Sequence, residues 1–178
     1  MPISPLVVRR AGSQDAQALA DLATNTFRDT YRSVADPQAI EDYVAESFQP
    51  AAVAAHIVDP ASTILLAVDG SRLVGYAHLR ATEPPACVRG PSPIELGRLY
   101  LDRDAIGKGN GAKLMRAVHA EARRLERKTI WLGVYDGNLR AIEFYERFGF
   151  VNVGRREFAF GGRIYVDPVM AASLSEDR

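Results

Sequence analysis

The stretch "IELGRLYLDRDAIGKGNGAKLM", Ile94 to Met115, decides how this chain is read. It begins as a strand. Ile94 and Leu96 alternate as one strand face requires, and then the apolar phase jumps to Leu99 and Leu101. A step of three in place of two means one extra residue. A β-bulge near Gly97 and Arg98 accounts for it; a strand apolar on both faces, with Tyr100 contributing, is the alternative. Next, Gly107, Gly109 and Gly111 alternate with Lys108 and Asn110, and a helical stripe of Leu114, Met115, Val118, Ala122 and Leu125 follows at once. Successive glycines let backbone N–H groups converge on an anion without Cβ obstruction. Between a strand and a helix start, those groups point outward and favour a phosphate. A flexible connection that holds nothing is the competing reading. Two phosphate motifs are excluded. A P-loop requires Gly-Lys-Ser/Thr where this chain has Ala112-Lys113-Leu114, and the dinucleotide fingerprint G-x-G-x-x-G is here G-x-G-x-G.

Downstream, "TIWLGV" reads as a short buried strand, "YDGN" as a turn and "LRAIEFYERFGF" as a helix stopped at Gly149. "VNVGRREFAFGGRIYVDPVM" reads as strands turning at Gly161-Gly162, and the last residues, 171–178, as a frayed tail. Upstream, "PLVVRR" reads as a strand. "GSQDAQALADLATNTFRDTYRS" reads as a helix capped by Ser13 or Asp15, and two shorter helices begin near Pro37 and Pro50. "STILLAVDGSRLVGYAHLRA" is a hairpin with its turn at Asp69-Gly70. Its second strand puts Leu73, Gly75, Ala77 and Leu79 on one face and Tyr76, His78 and Arg80 on the other. The prolines between Thr82 and Pro93 make a surface loop. Strands and helices alternate without repeats, so an α/β (α+β) single domain over 1–170 is expected.

Lys plus Arg equals Asp plus Glu, at 22 each, so bulk charge gives no argument for nucleic acid or an anionic membrane. No apolar run approaches membrane-spanning length. The single cysteine, Cys87, permits no intrachain disulfide, and the N-terminus lacks signal-peptide order; a cytoplasmic setting is expected. The histidines His56, His78 and His119 read as separate residues with no metal-ligand spacing.

"ELGRLYLDRDAIGKGNGAKLM" followed by "WLGVYDGNLRAIEFYERFGF" resembles the GCN5-related N-acetyltransferase (GNAT) superfamily, over roughly Ile94 to Gly154. "TFRDTY" and "WLGVYDGN" resemble its bacterial polyamine (spermine/spermidine) acetyltransferase-like branch. The resemblance implies a mixed, mostly antiparallel sheet of six to seven strands flanked by helices, and acetyl-CoA as cosubstrate. The acceptor it implies is a small-molecule or peptide amine, and the protein a monomer or homodimer. It implies that the loop from Gly107 through Lys108, Gly109, Asn110 and Gly111 to Ala112 holds the coenzyme's pyrophosphate. The backbone at Leu99, Tyr100 and Leu101 supplies an oxyanion donor on a strand that splays from "TIWLGV", and the pantetheine arm pairs with the exposed backbone. The resemblance further implies that Asn138 contacts the coenzyme, a helix cap being its other reading; Arg140 or Arg147 could reach the coenzyme's phosphates, against the plainer reading of exposed helix charges. Tyr145, at the family's tyrosine position, becomes the candidate acid for the departing thiolate, against the plainer reading of a core aromatic. Glu95, facing away from Ile94 and Leu96 toward cleft or solvent, is the candidate base, against a solvated strand carboxylate. Ile106 departs from the family loop, which commonly carries Gln or Arg there. A non-catalytic acyl-CoA-binding domain on the same fold is the alternative function. Glu41, Asp42 and Glu46 would favour a cationic acceptor if their helix lined the cleft; a solvated acidic face is the ordinary alternative.

Overall fold

A computed structural model describes residues 6–174. Its seven strands form a single sheet in the order β1-β2-β3-β4-β5-β7-β6. The strands are β1 (Val7–Arg10), β2 (Ser62–Asp69), β3 (Arg72–Arg80), β4 (Pro93–Leu101), β5 (Thr129–Gly133), β6 (Val151–Phe160) and β7 (Arg163–Ser173). Every neighbouring pair is antiparallel except β4 and β5. That parallel pair is joined at only three positions, ending at Glu95 opposite Trp131. Beyond them the two strands part.

Helices cover both faces. α1 (Ala16–Tyr31), α2 (Pro37–Ser47) and α3 (Pro50–Val58) pack on one face with Ile64, Leu66 and Tyr76. α4 (Asn110–Arg124) and α5 (Leu139–Arg147) pack on the other, where Leu114, Met115, Val118 and Ala122 meet Ala77, Leu79, Ile94 and Leu96. Prolines open α2 and α3 as expected, and the Asp36 side chain accepts from Gln38 N and Ala39 N to cap α2. Asp15 precedes α1 without capping it. Its carboxylate instead accepts from Gly12 N and from both guanidinium nitrogens of Arg9, tying the helix start to β1.

The suspected bulge is present. Leu96 pairs with Leu79 and Arg98 with His78, so Gly97 is the extra residue. A Cβ at Gly97 would stand 2.6 Å from Arg80 Nε, so a larger residue there would displace that guanidinium. A second bulge, between β2 and β3, corrects the face assignment for Leu73. Gly75 pairs with Ala67 and Leu73 with Val68, leaving Val74 extra. Val74 therefore joins Ala77 and Leu79, while Leu73 packs with Tyr76. The tail is also corrected in part. Ala171 to Ser173 pair with β5, and Leu174 is buried; the expected fraying of 175–178 lies outside the described residues.

Candidate functional site

Where β4 and β5 part, a cleft of about 710 Å³ opens. Its floor is the strand edge from Leu96 to Leu101 facing Gly133 and Val134; α1 contributes Thr26, Thr30 and Tyr31, and α5 contributes Ala141, Phe144 and Tyr145. A strand that loses its neighbour keeps unpaired N–H and C=O groups along that edge. Leu99 and Leu101 turn their side chains into the α4 side of the core. Tyr100 turns its phenol the other way, into a hydrogen bond with Tyr31. Backbone groups alternate sides along a strand, so part of this backbone pairs with β3 and the groups on the β5 side are left for a ligand.

The glycine loop closes one end of the cleft. Gly107 and Gly109 have φ of +81° and +78°, and a Cβ on either would meet nothing within 4 Å. Glycine is needed there for conformation, since other residues resist positive φ. Gly111 fits a different constraint, with its Cβ position 3.4 Å from the Phe144 ring. Gly109 precedes α4, whose first N–H groups have no partner within the helix. Gly107, Gly109, Gly111 and Ala112 line the cleft, and so does Ile106. Lys108 is exposed and outside it. Asn110 is outside it too: its amide donates to Ala105 O at 3.1 Å, which braces the loop. Arg140 and Arg147 lie along the cleft as exposed cations.

Tyr145 lines the same space, with its ring 5.6 Å from those of Phe144 and Phe150. Desolvation raises its phenol well above the ordinary value. Asn138 performs the capping half of its expected pair of roles, accepting from Ala141 N at 3.2 Å, and also lines the cleft.

Glu95 does not reach the cleft, which corrects its expected placement. It is 3% exposed. Its carboxylate accepts from Thr82 Oγ1 at 2.7 Å and Arg80 Nη2 at 3.1 Å, with Arg156 Nη1 at 3.5 Å. It holds β3, β4 and β6 together across the sheet. The histidines are less separate than their sequence positions suggest: His56 and His78 meet with ring centres 5.2 Å apart, and His78 Nε2 is 2.6 Å from Ser62 Oγ. Burial, with Arg98 and Arg80 nearby, pushes His78 down to about 3. Among the described residues no group of three or more His, Cys, Asp or Glu could hold a metal, and no helix is long and apolar enough to cross a membrane.

The sequence reading passed over Arg98 and Tyr31, both of which line the cleft. Arg98 carried a signal, a charge inside an apolar strand immediately after the phase fault. Tyr31 carried only its place as the last residue of "TFRDTY", at the end of α1.

The family model for the acetyltransferase (GNAT) family matches residues 17–150. An uncharacterized N-acetyltransferase of Mycobacterium tuberculosis is 35% identical over 161 residues, covering 90% of this chain and 98% of that one. The spermine/spermidine N(1)-acetyltransferase of Bacillus subtilis is 38% identical over 66 residues, 36% of this chain and 43% of that protein. The crystal structure of a PaiA N-acetyltransferase of Thermoplasma acidophilum in complex with coenzyme A superposes with a TM-score of 0.78 at 21% identity, covering 95% of this chain and 99% of that one. The chain belongs to the acetyltransferase (GNAT) family.

Proposed function

We propose that the protein transfers the acetyl group of acetyl-CoA to an amine, in the cleft between β4 and β5, with Tyr145 as general acid. One observation carries this reading: a single cleft joins an open strand edge, a positive-φ glycine loop at a helix start, and a half-buried phenol. The residues suit the cosubstrate. The open space above Gly107 and Gly109 accepts a phosphate close to the backbone, and the edge from Leu99 to Leu101 offers hydrogen bonds to an extended, amide-bearing arm.

Bound acetyl-CoA supplies an acyl group activated as a thioester. The free amine attacks the carbonyl carbon, a C–N bond forms and the C–S bond breaks. Backbone N–H groups of the bulged strand hold the carbonyl oxygen as charge gathers on it. Tyr145 donates its proton to the departing sulfur and regains one from water. Its raised phenol stays protonated through neutral pH and past its ordinary ~10. A thiol of ordinary pKa near ~8.5 is the stronger acid, so Tyr145 assists only as the thiolate develops. The ammonium proton leaves to solvent: Asp29, the carboxylate lining the cleft, is already bonded to Arg32 and Arg103.

The test is Tyr145→Phe. Turnover should fall roughly 10²- to 10⁴-fold, the range for a lost general acid, while acetyl-CoA binding by calorimetry stays within about twofold. Unchanged turnover removes Tyr145 from the mechanism.

A further inference from the structure

Three arginines lie on the α1–α3 face of the sheet near the point where β4 and β5 part. Arg80 and Arg156 share one acid, Glu95, at 3.1 and 3.5 Å. Arg98 has none: among the described residues it forms no ion pair. Its Nη2 donates to the Tyr43 hydroxyl at 3.1 Å, and its Cζ stands 4.7 Å from the centre of the Phe48 ring. Tyr76 and Tyr100 complete its surroundings, and the buried Tyr76 hydroxyl has no partner. Arg98 lines the cleft one residue before Leu99. A guanidinium carries five N–H donors, and half-buried Arg98 spends one of them on Tyr43, so donors remain for an anion in the cleft.

Among the described residues no nearby acid pairs with Arg98, although the buried Asp167 Oδ1 is left without a hydrogen-bond partner. Asp29 is bonded to Arg32 and Arg103. Asp167 lies beside Tyr31 and Tyr135 in a small adjoining pocket, takes the Asp136 amide, and has Arg155 and Arg156 as its neighbouring cations. The acids of α2 do not line the cleft. Glu41, Asp42 and Glu46 are exposed, with Glu41 paired to Arg28 and Asp42 to Gln38. What α2 brings to Arg98 is the Tyr43 hydroxyl. The charge preference suggested by the acidic helix is therefore reversed at the cleft itself.

We infer that the acceptor is an amine bearing a carboxylate, an α-amino acid or short amino-carboxylate, and that Arg98 receives the carboxylate in the cleft. This rests on the acetyltransferase reading above. The planar guanidinium fork matches a carboxylate in two parallel hydrogen bonds, which an ammonium cannot do. A wholly cationic polyamine meets a like charge at the same place.

Thiol release from acetyl-CoA tests it, with glycine, alanine, glutamate and phenylalanine each compared with its own amide, and spermidine alongside. Rates are referred to the free-amine fraction, because amidation lowers the amine's pKa. The unaltered protein should favour acids over amides by roughly 10- to 100-fold in kcat/KM, the span of a charge-assisted hydrogen bond. Arg98→Gln should erase that preference mainly through KM, and Arg98→Lys should restore part of it. Equal rates for acid and amide, or a preference for spermidine, overturn the inference. So does an Arg98→Gln variant that slows every acceptor alike without rescue by lysine. The same pairs with succinyl-CoA distinguish a second source of carboxylate: an Arg98-dependent preference for succinyl-CoA would move the anion to the acyl group and overturn the acceptor assignment. If no amine releases thiol, the acetyltransferase reading fails by itself. Calorimetry of the same acids and amides on the coenzyme A-loaded protein then decides the inference. Tighter binding of acids that is lost in Arg98→Gln upholds it, and equal binding of both overturns it.

Discussion

Glu95 and Arg98 are three residues apart on one strand, yet both project from the same face, because Gly97 is the bulge between them. Regular alternation would have put them on opposite faces. The consequence is a division of labour on one surface. Glu95 neutralises two arginines contributed by β3 and β6, while Arg98 keeps its charge for the cleft. Glu95→Gln should therefore act on stability. An amide keeps one oxygen to accept from Arg80 but sets an NH2 against Thr82, and no longer balances two cations; urea unfolding should show a loss of about 1–3 kcal/mol. The pH–rate profile should keep its shape; a displaced limb would return Glu95 to the chemistry. At this scale the sequence was legible where one residue's role depends on its immediate neighbours. Gly107, Gly109 and Tyr145 could be found because each sits in a local pattern. The role of Glu95 could not, because Arg80, Thr82 and Arg156 arrive from three other places in the chain.

At the level of elements, periodicity predicted what the backbone does wherever one residue type marks the position. The phase fault at Leu96 to Leu99 announced its bulge, and Gly149, with φ of +84°, ended α5. The β2–β3 bulge was hidden because Leu73 and Val74 are both apolar, so neither marks which one faces the core. The end of α4 hides a different feature. Glu126 N donates to Arg123 O at 2.8 Å and Arg127 N to Ala122 O at 2.9 Å, the paired bonds of a Schellman stop. The residue that must be left-handed there, with φ of +57°, is Glu126, where glycine is usual. Because the side chain is exposed, nothing is lost by removing it. Glu126→Gly should stabilise the protein by about 1 kcal/mol and raise Tm by roughly 2–4 °C without touching turnover. A lower Tm would show that the backbone strain is already relieved by something else.

The molecule as a whole is two blocks of sheet with a narrow join. β1 to β4 run in chain order as an antiparallel meander; β5, β7 and β6 form the other block, and three residue pairs connect the two. Alternation of strands and helices indicated the class but not this order, since placing β7 between β5 and β6 depends on pairings remote in sequence. The family resemblance implied a mixed, mostly antiparallel sheet but no strand order. The proposed cosubstrate binds along the open part of the join, so it should tie the blocks together. At a coenzyme A concentration about 100 times Kd, linkage supplies ~2.7 kcal/mol, which for a chain of this size raises Tm by about 5–10 °C. No shift at that concentration would show that coenzyme A does not bind the folded protein preferentially.

That gap also bears on self-association. Two strand edges with unspent hydrogen-bonding groups are a hazard to any protein in a crowded solution, since they invite foreign strands to dock. Here they face each other from inside a cleft walled by α1, α5 and the glycine loop. Another polypeptide would have to enter that cleft to reach them. The fold thus keeps adhesive backbone ready for use while withholding it from neighbouring proteins.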